Sequence, residues 1–455
     1  MKKGNFSERP NQGKIEEILN QHIEPKKVTS ANDKIKAVEC KIEPFAGQLL
    51  EPFKYMYQTI AKKIQILEDR IDSCVEVISE HYNKETLCDP TIVGESKLFT
   101  VGKICCDSEG RLNPESAMLV TSINLGERVI KLFLNDLPSF SLFPGQIIGV
   151  EGVNNTGNCL YVKKIYELPL LPFYRSPNQI NENDQTLIIN DYSSSSSSSK
   201  SLEVVFVAGP YTLDTDLTFE PFKELIRKMI KEKPNILVLM GPFVDENHPI
   251  IQQGKATMLV DDIFNNNITK YLDVLIKDSP DINVIVIPNP RDVIHEYPIF
   301  PQPPFNNRFS KVCKFLSIND EITFAINNVD ILFHLSVNET SGNCDSDRMG
   351  RLAKHILTQR HLYPLFPPVI NDINLDVKNS SSLQLQATPD VLVTPSKLKF
   401  FAKIINNVIC INPGYVSKNQ SNGTYAKLTI HPPQQNNSEP EQFISKRSRV
   451  EIIRL

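Results

Sequence analysis

Six short loops, each closing an apolar run, carry the residues best placed for chemistry: VAGPYT from Val207, MGPFVD from Met240, IPNPRD from Ile287, FHLS from Phe333, VTPS from Val393 and INPG from Ile411. In open α/β sheets ligands bind just beyond the carboxyl ends of the strands, so these loops are where a site would lie. Metal-assisted hydrolysis there would need several carboxylates and imidazoles, because two divalent ions must be neutralised and held close together before they activate water. The loops instead present Gly209 and Tyr211, Gly241 and Pro242, Asn289 and Pro290, and the run Thr394, Pro395, Ser396, Lys397; Asp245 is a candidate oxygen ligand. His334 offers an imidazole, although a histidine in such a run is more often a hydrogen-bonded core residue. Other chemistries lack their signatures. There is no G-x-x-x-x-G-K-[ST] phosphate loop and no G-x-S-x-G elbow. The nine cysteines show no C-x-x-C spacing, and the adjacent pair Cys105 and Cys106 reads as plain thiols on a strand.

The elements that must position these loops alternate apolar strand-like runs with helical patterns from Leu202 onward, which marks a layered α/β domain. Strands are expected at LEVVFVA from Leu202, NILVLM from Asn235, INVIVIP from Ile282, ILFHLS from Ile331, VLVTP from Val391, VICIN from Val408, TYAKLTI from Thr424 and VEIIRL from Val450. Helices are expected near 219–231, 258–277, 347–360 and 396–405. Ahead of this domain, five short runs (from Leu98, Ser116, Arg128, Gln146 and Cys159) are punctuated by glycine and proline, the pattern of a five-stranded OB-like barrel over 91–175. Aromatic residues are sparse there and basic residues are not concentrated, so a structural or protein-binding barrel is favoured over one that grips single strands.

Upstream, Phe53, Tyr57, Ile60, Ile64, Leu67, Ile71, Cys74 and Ile78 follow a heptad-like spacing and give a helix over 51–90, free to bind a partner or its own barrel. Residues 1–50 read as a disordered tail with at best a short helix near 14–19, and 176–201 as a polar linker or insert with seven consecutive serines, Ser193 to Ser199. The proline-rich FPQPPF (from Phe300) and LYPLFPP (from Leu362) fit rigid internal loops better than partner-facing polyproline. Lys446, Arg447 and Arg449 form a small basic cluster, a nuclear-import or phosphate patch at most.

Composition narrows the classes. The 455 residues are 40% hydrophobic and 22% charged, enough apolar content for a sizeable core, and the net charge is −4. An acidic balance argues against a chain whose main task is gripping a phosphate backbone. No apolar run reaches membrane-spanning length, MKKGNFSERPNQGK has no signal-peptide core, and the unpatterned odd set of cysteines suits reduced, intracellular thiols.

The loop series resembles the calcineurin-like metallophosphoesterases, whose D-x-H, G-D-x-x-D, G-N-H and G-H-x-H motifs each follow a strand. The chain departs from them at nearly every ligand. Gly209 and Tyr211 stand for D-x-H, Pro242 for the aspartate after Gly241, Pro290 for the histidine after Asn289, and Thr394, Pro395, Ser396 and Lys397 for G-H-x-H. Only Asp245 and Asn289 survive. The resemblance implies an α/β and β fold, an OB-like barrel followed by a phosphoesterase-like domain (202–455) without metal ligands, catalysis or cofactor.

An OB barrel followed by such a domain is the layout of the B subunits of replicative DNA polymerases. FPGQIIGVEGVNNTG (from Phe143), VAGPYTLDTDLTFEPF (from Val207), LVLMGPFVDENHP (from Leu237), IPNPRDVIHEYPIFPQPPF (from Ile287), SDRMGRLAKHILTQRHLYPLFPP (from Ser346), ATPDVLVTPSKLKFFAK (from Ala387) and INPGYVSKNQSNGTYAKL (from Ile411) closely resemble the B subunits of the DNA polymerase alpha–primase complex. That resemblance implies a nuclear, non-catalytic regulatory and scaffold subunit in DNA replication. Its partners would be the C-terminal zinc-binding module of the polymerase catalytic subunit and, through the complex, both primase subunits, with DNA touched only weakly or indirectly. The family also carries a small helical domain and a linker ahead of the barrel, for which the fifty residues before Phe53 show no counterpart. Two alternatives stand beside it: the B subunit of another replicative polymerase, separated by which catalytic chain it binds, and a divergent one-metal phosphoesterase using Asp245, Asn289 and His334, separated by loss of activity on Asp245→Ala.

Overall fold

The computed structural model describes residues 11–25, 40–44, 54–84, 86–108, 110–174, 201–305, 315–318, 322–418, 421–433 and 443–455. The serine run and most of the 1–50 segment lie outside the described residues. The chain divides into two compact units, one of 1–51, 173–330 and 389–455, the other of 52–172 and 331–388. Residues 331–388 thus pack with the barrel unit, whereas their place along the chain groups them with 202–455.

In the barrel unit, strands Gly94–Cys106, Ala117–Val120, Val129–Phe133, Cys159–Tyr166 and Ile147–Asn154 close in that order. With strands 1 to 5 in chain order this is 1-2-3-5-4, the third and fifth running parallel, the Greek-key circuit of an OB fold. Alternation fills it: Ile104, Leu119, Ile130, Leu132, Ile148, Val150, Leu160 and Val162 point into a shared core. Gly152 lets two strands pass closely, since a Cβ there would come 2.4 Å from the Tyr161 carbonyl oxygen.

The heptad pattern forms helix Ile60–His81, whose first turn is capped by Thr59 accepting from the Lys62 amide at 3.3 Å. Its C-terminal half lies on the barrel: Ile71, Val75 and Ile78 are buried with Phe99, Val101, Ile147 and Tyr166. The seam does not continue inward at the other end, where Tyr57 and Ile60 are 79% and 77% exposed. Residues 331–388 supply helices Ile331–Asn338 and Arg348–Thr358 and strand Thr340–Gly342, which pairs antiparallel with Phe140–Leu142.

The other unit stacks two six-stranded sheets. In the first, Leu202–Ala208, Ile236–Met240 and Asn283–Ile287 run parallel, extended by Thr424–Ile430, Ser448–Arg454 and Ile15–Leu19. Burial on both faces explains why the parallel strands read as unbroken apolar runs. One face packs on helices Glu220–Glu232, Val260–Phe264 and Lys270–Asp278. The other meets the second sheet, built from Ile42–Pro44, Phe315–Ile318, Ile322–Ile326, Val391–Val393, Val408–Asn412 and Phe401–Ile405, across a core containing Val204, Phe206, Val238, Phe324, Val391 and Ile411. This is a layered α/β domain, two stacked sheets with helices on one outer face.

Three expectations are corrected. ILFHLS is helical, within Ile331–Asn338, and the sheet position falls one segment earlier at Ile322–Ile326. A short, wholly apolar run suits a buried helix as well as a strand, and periodicity does not separate them. The helix expected at 396–405 is strand Phe401–Ile405, turned back onto Val408–Asn412 by Asn406 and Asn407, both at positive φ, a conformation asparagine tolerates better than most residues. Residues Ile15–Leu19 are a strand, not a helix: they pair antiparallel with Ser448–Arg454, and Glu16 meets Arg454 at 2.8 Å.

Candidate functional site

The carboxyl ends of the parallel strands in the two stacked sheets bring five of the six loops together with a further one after Ile326, because both sheets release the chain at the same edge. Gly209 follows Ala208, Gly241 follows Met240, Pro288 follows Ile287, Asn327 follows Ile326, Thr394 follows Val393, and Pro413 follows Asn412. The spacing is tight: a Cβ on Gly209 would come 2.1 Å from the Pro242 carbonyl oxygen, and one on Gly241 would come 2.2 Å from an Asp292 carboxylate oxygen. Gly209–Pro210 and Gly241–Pro242 are cis peptides.

What fills this edge is a set of side chains turned onto backbone. Tyr211 is fully buried, stacks on Phe243 and donates its hydroxyl to the Met240 and Val207 carbonyls at 3.0 and 3.2 Å; burial raises its phenol well above the ordinary value. Asp292 is the centre of the second and third loops. One oxygen accepts from the amides of Phe243 and Val244 (3.1 Å for the latter), and the other accepts from Asn289 at 2.8 Å. Burial pushes its carboxyl up to about 7 against the downward pull of those three amides. Asn289 donates its side-chain amide to the Asn328 carbonyl and accepts from the Arg291 amide at 3.0 Å, while Asn328 donates to the carbonyls of Ile287 and Pro288 at 3.1 and 2.9 Å.

Asp245 pairs with Arg291 at 3.3 Å and accepts from the Asn247 amide at 3.0 Å; burial raises its carboxyl, with Arg291 pulling the other way. On the second sheet Asn412 accepts from the amides of Ser396 and Gly414 at 2.9 and 3.0 Å, and Asp330 accepts from the Lys397 amide at 2.9 Å and the Tyr415 hydroxyl at 3.1 Å. Ser417 closes the circuit by donating to the carbonyls of Pro210 and Thr212 at 2.9 and 2.6 Å.

The nine sequence-derived positions, Gly209, Tyr211, Gly241, Pro242, Asp245, Asn289, Pro290, Pro395 and Lys397, therefore all lie on loops of this edge. His334 does not. It belongs to helix Ile331–Asn338 of the barrel unit, where it is buried and bonded to the Tyr363 hydroxyl at 3.1 Å and the Asp372 carboxylate at 2.7 Å. Among the described residues no group of three or more His, Cys, Asp or Glu is placed to hold a metal. Sequence reasoning misses Asp292, Asn328, Asp330 and Asn412. The signal for Asp292 is present in N-P-R-D, since an aspartate three residues after an asparagine suits a turn that folds onto its own amides.

The remaining motifs are internal. Phe305 of FPQPPF is buried against Phe243 and Phe264, and Leu362, Tyr363 and Leu365 of LYPLFPP are buried. Arg449 is 7% exposed, paired with Glu451 at 2.7 Å and bonded to the carbonyls of Gln21 and Ile23, so it is no part of a free basic patch. Cys106 donates to Ser116 at 3.3 Å, and the cysteines of the described residues are all free thiols. Among the described residues no helix is long and apolar enough to cross a membrane.

Fold and site together define a class: an OB barrel joined to a layered α/β domain whose strand-end loops are tied to their own backbone. The family model for the B subunit of DNA polymerases alpha and epsilon matches residues 204–403, and the model for the OB domain of the DNA polymerase alpha B subunit matches 64–168. The DNA polymerase alpha B subunit of Rattus norvegicus is 32% identical over 430 residues, covering 91% of this chain and 68% of that one. Its counterpart in Schizosaccharomyces pombe is 33% identical, covering 97% and 79%, and that of Saccharomyces cerevisiae 30%, covering 91% and 67%. The chain belongs to the family of DNA polymerase alpha B subunits, accessory subunits of DNA replication. It spans about two thirds of the length of the rat relative.

Proposed function

We propose that this chain is a nuclear, non-catalytic scaffold subunit of DNA polymerase alpha–primase. It holds the C-terminal zinc-binding module of the catalytic subunit and, through the assembled complex, supports RNA primer synthesis and its extension. The observation that carries the reading is the state of the strand-end loops. Positions that hold two metals in a phosphoesterase are here occupied by Tyr211, Pro242, Pro290 and Pro395, and the acids that remain are spent on the fold, Asp292 on three backbone amides and Asp245 on Arg291. With three of its roughly four acceptor sites taken by amides, Asp292 has little left to offer a metal, and Asp245 alone cannot neutralise and hold two of them. On this reading the nine loop positions are vestigial and the domain's value is its rigid surface.

The test is reconstitution. The chain is co-expressed with the C-terminal region of a polymerase alpha catalytic subunit and, in parallel, with that of another replicative polymerase. A one-to-one complex with the first alone, withstanding gel filtration, is the expected result. A complex with the second alone would move the function to that polymerase, and hydrolysis of a phosphodiester by the purified chain with added manganese would overturn the non-catalytic claim.

A further inference from the structure

The barrel unit carries a feature of its own. A cleft of about 710 Å³ is lined by Arg111, Leu112 and Asn113 from the loop between the first two barrel strands, by Glu339, Thr340 and Ser341, and by Arg348 and Arg351. Three guanidinium groups facing one carboxylate leave the cleft cationic in a chain whose net charge is −4.

The charges divide into a structural pair and a surplus. Glu339 is buried and takes Arg351 on both oxygens, at 2.7 and 3.3 Å, with the Ser141 hydroxyl at 2.6 Å. Burial opposes its charge, yet the bonds from His355, Arg351 and Ser141 hold it down at about 2, so this carboxylate stays ionised and matched to Arg351. Arg111 has no carboxylate partner among the described residues; its guanidinium is pinned by one bond to the Glu339 carbonyl at 3.3 Å. Arg348 is pinned in the same way to the Ser336 carbonyl and is 49% exposed, with Glu339 no nearer than 3.9 Å. Two arginines are thus held in place by backbone bonds while their charge is left largely uncompensated. Beside them stand the donors of Asn113, Thr340 and Ser341. The helix start at Arg348 is not part of the site, because Asp347 already caps it through the Gly350 amide at 3.0 Å.

We propose that this cleft binds backbone phosphates of single-stranded nucleic acid. Arginine forks match phosphate oxygens, and fixed guanidinium groups lose less freedom on binding than mobile ones. The choice of nucleic acid over a phosphorylated peptide rests on two observations. Among the described residues the one apolar member of the lining, Leu112, is itself 2% exposed and offers no pocket for a peptide side chain. Arg111 and Asn113 sit on the loop joining the first and second strands of an OB barrel, one of the loops with which such barrels contact oligonucleotides. Among the described residues the lining has no aromatic platform, so the contact is with the backbone, independent of sequence and sensitive to salt.

The test uses the full chain and a fluorescent oligothymidylate of about 12 nucleotides, a length one OB fold accommodates, titrated by anisotropy at several salt concentrations. Arg111→Gln with Arg348→Gln, both exposed and outside the Glu339–Arg351 pair, is expected to weaken binding at least tenfold at low salt. It is also expected to reduce the slope of log affinity against log salt by about 1.4, the value for two lost phosphate contacts on a single strand. Ser341→Glu, a second variant at an exposed position of the same lining, is expected to weaken binding without changing thermal stability. Equal affinity and slope in wild type and the double variant, no binding by wild type, or binding of a phosphorylated peptide but not of the oligonucleotide would each overturn the proposal.

Discussion

Replacing Asp292 by asparagine keeps the shape of the side chain and removes one acceptor from the most enclosed carboxyl of the strand-end loops. In the native loops its two oxygens take three backbone amides, those of Phe243, Val244 and Asn289. Whichever way the asparagine amide turns, its NH2 faces at least one of these donors and leaves it unpaired, at a cost of about 1–3 kcal/mol. A second effect depends on pH. The native carboxyl is raised from 3.8 to about 7, chiefly by burial, so the folded chain holds that proton more tightly than the unfolded chain. Its contribution to stability is complete below about pH 4 and is lost as pH rises through about 7. A shift of that size corresponds to at most about 4 kcal/mol. Asparagine has no such dependence. Asp292→Asn is therefore expected to destabilise the chain clearly at pH 5 and by a smaller margin at pH 8. Urea unfolding at the two pH values gives the margin, and hydrogen exchange at the amides of Phe243, Val244 and Asn289 localises it. A margin that is equal at both pH values or wider at pH 8, or unchanged protection of all three amides, would refute the reasoning.

Two further outcomes follow from the barrel unit. Ile78 is fully buried against Gly149 and Phe99, so Ile78→Ala should cost about 2–5 kcal/mol, whereas Ile60→Ala, on the exposed end of the same helix, should stay within about 0.5 kcal/mol; thermal unfolding of the pair separates a helix seated on its barrel from one held along its whole seam. Glu339→Gln leaves Arg351 without its counter-charge and should cost about 2 kcal/mol near neutral pH. Because the native carboxyl is held at about 2, below its ordinary 4.5, its contribution is present above about pH 4.5 and lost as pH falls towards 2. The gap between wild type and variant, followed by circular dichroism, should accordingly close in acid.

Much of this architecture was legible because it rests on repetition. The five barrel strands announce themselves by short alternating runs between glycines, and the parallel strands by unbroken apolar runs that only burial on both faces requires. The departures have local causes. ILFHLS is apolar without period, so nothing in it distinguishes a strand from a buried helix. Ile15–Leu19 owes its strand to pairing with Ser448–Arg454, a partner more than four hundred residues away that no local window contains. The site was legible by position and not by role. Counting ligand types at strand ends located Gly209, Tyr211, Gly241, Asp245 and Asn289 on one edge. That Asp292, Asn328, Asp330 and Asn412 tie those loops to their own backbone depends on which amides face them, and this is fixed only once two sheets bring their ends together. The cationic cleft was hidden for the same reason: Arg111 and Arg348 are far apart in sequence, and neither belongs to a basic run.

The proposed role, service to replication by holding other chains rather than by chemistry of its own, is tested most directly by purifying the tagged chain gently from nuclear extract and quantifying what accompanies it by mass spectrometry. A polymerase alpha catalytic chain and both primase chains, in near-equal amounts with the tagged chain, are the expected result. Recovery of the chain alone with stoichiometric manganese or iron, or with the catalytic chain of a different polymerase, would contradict it.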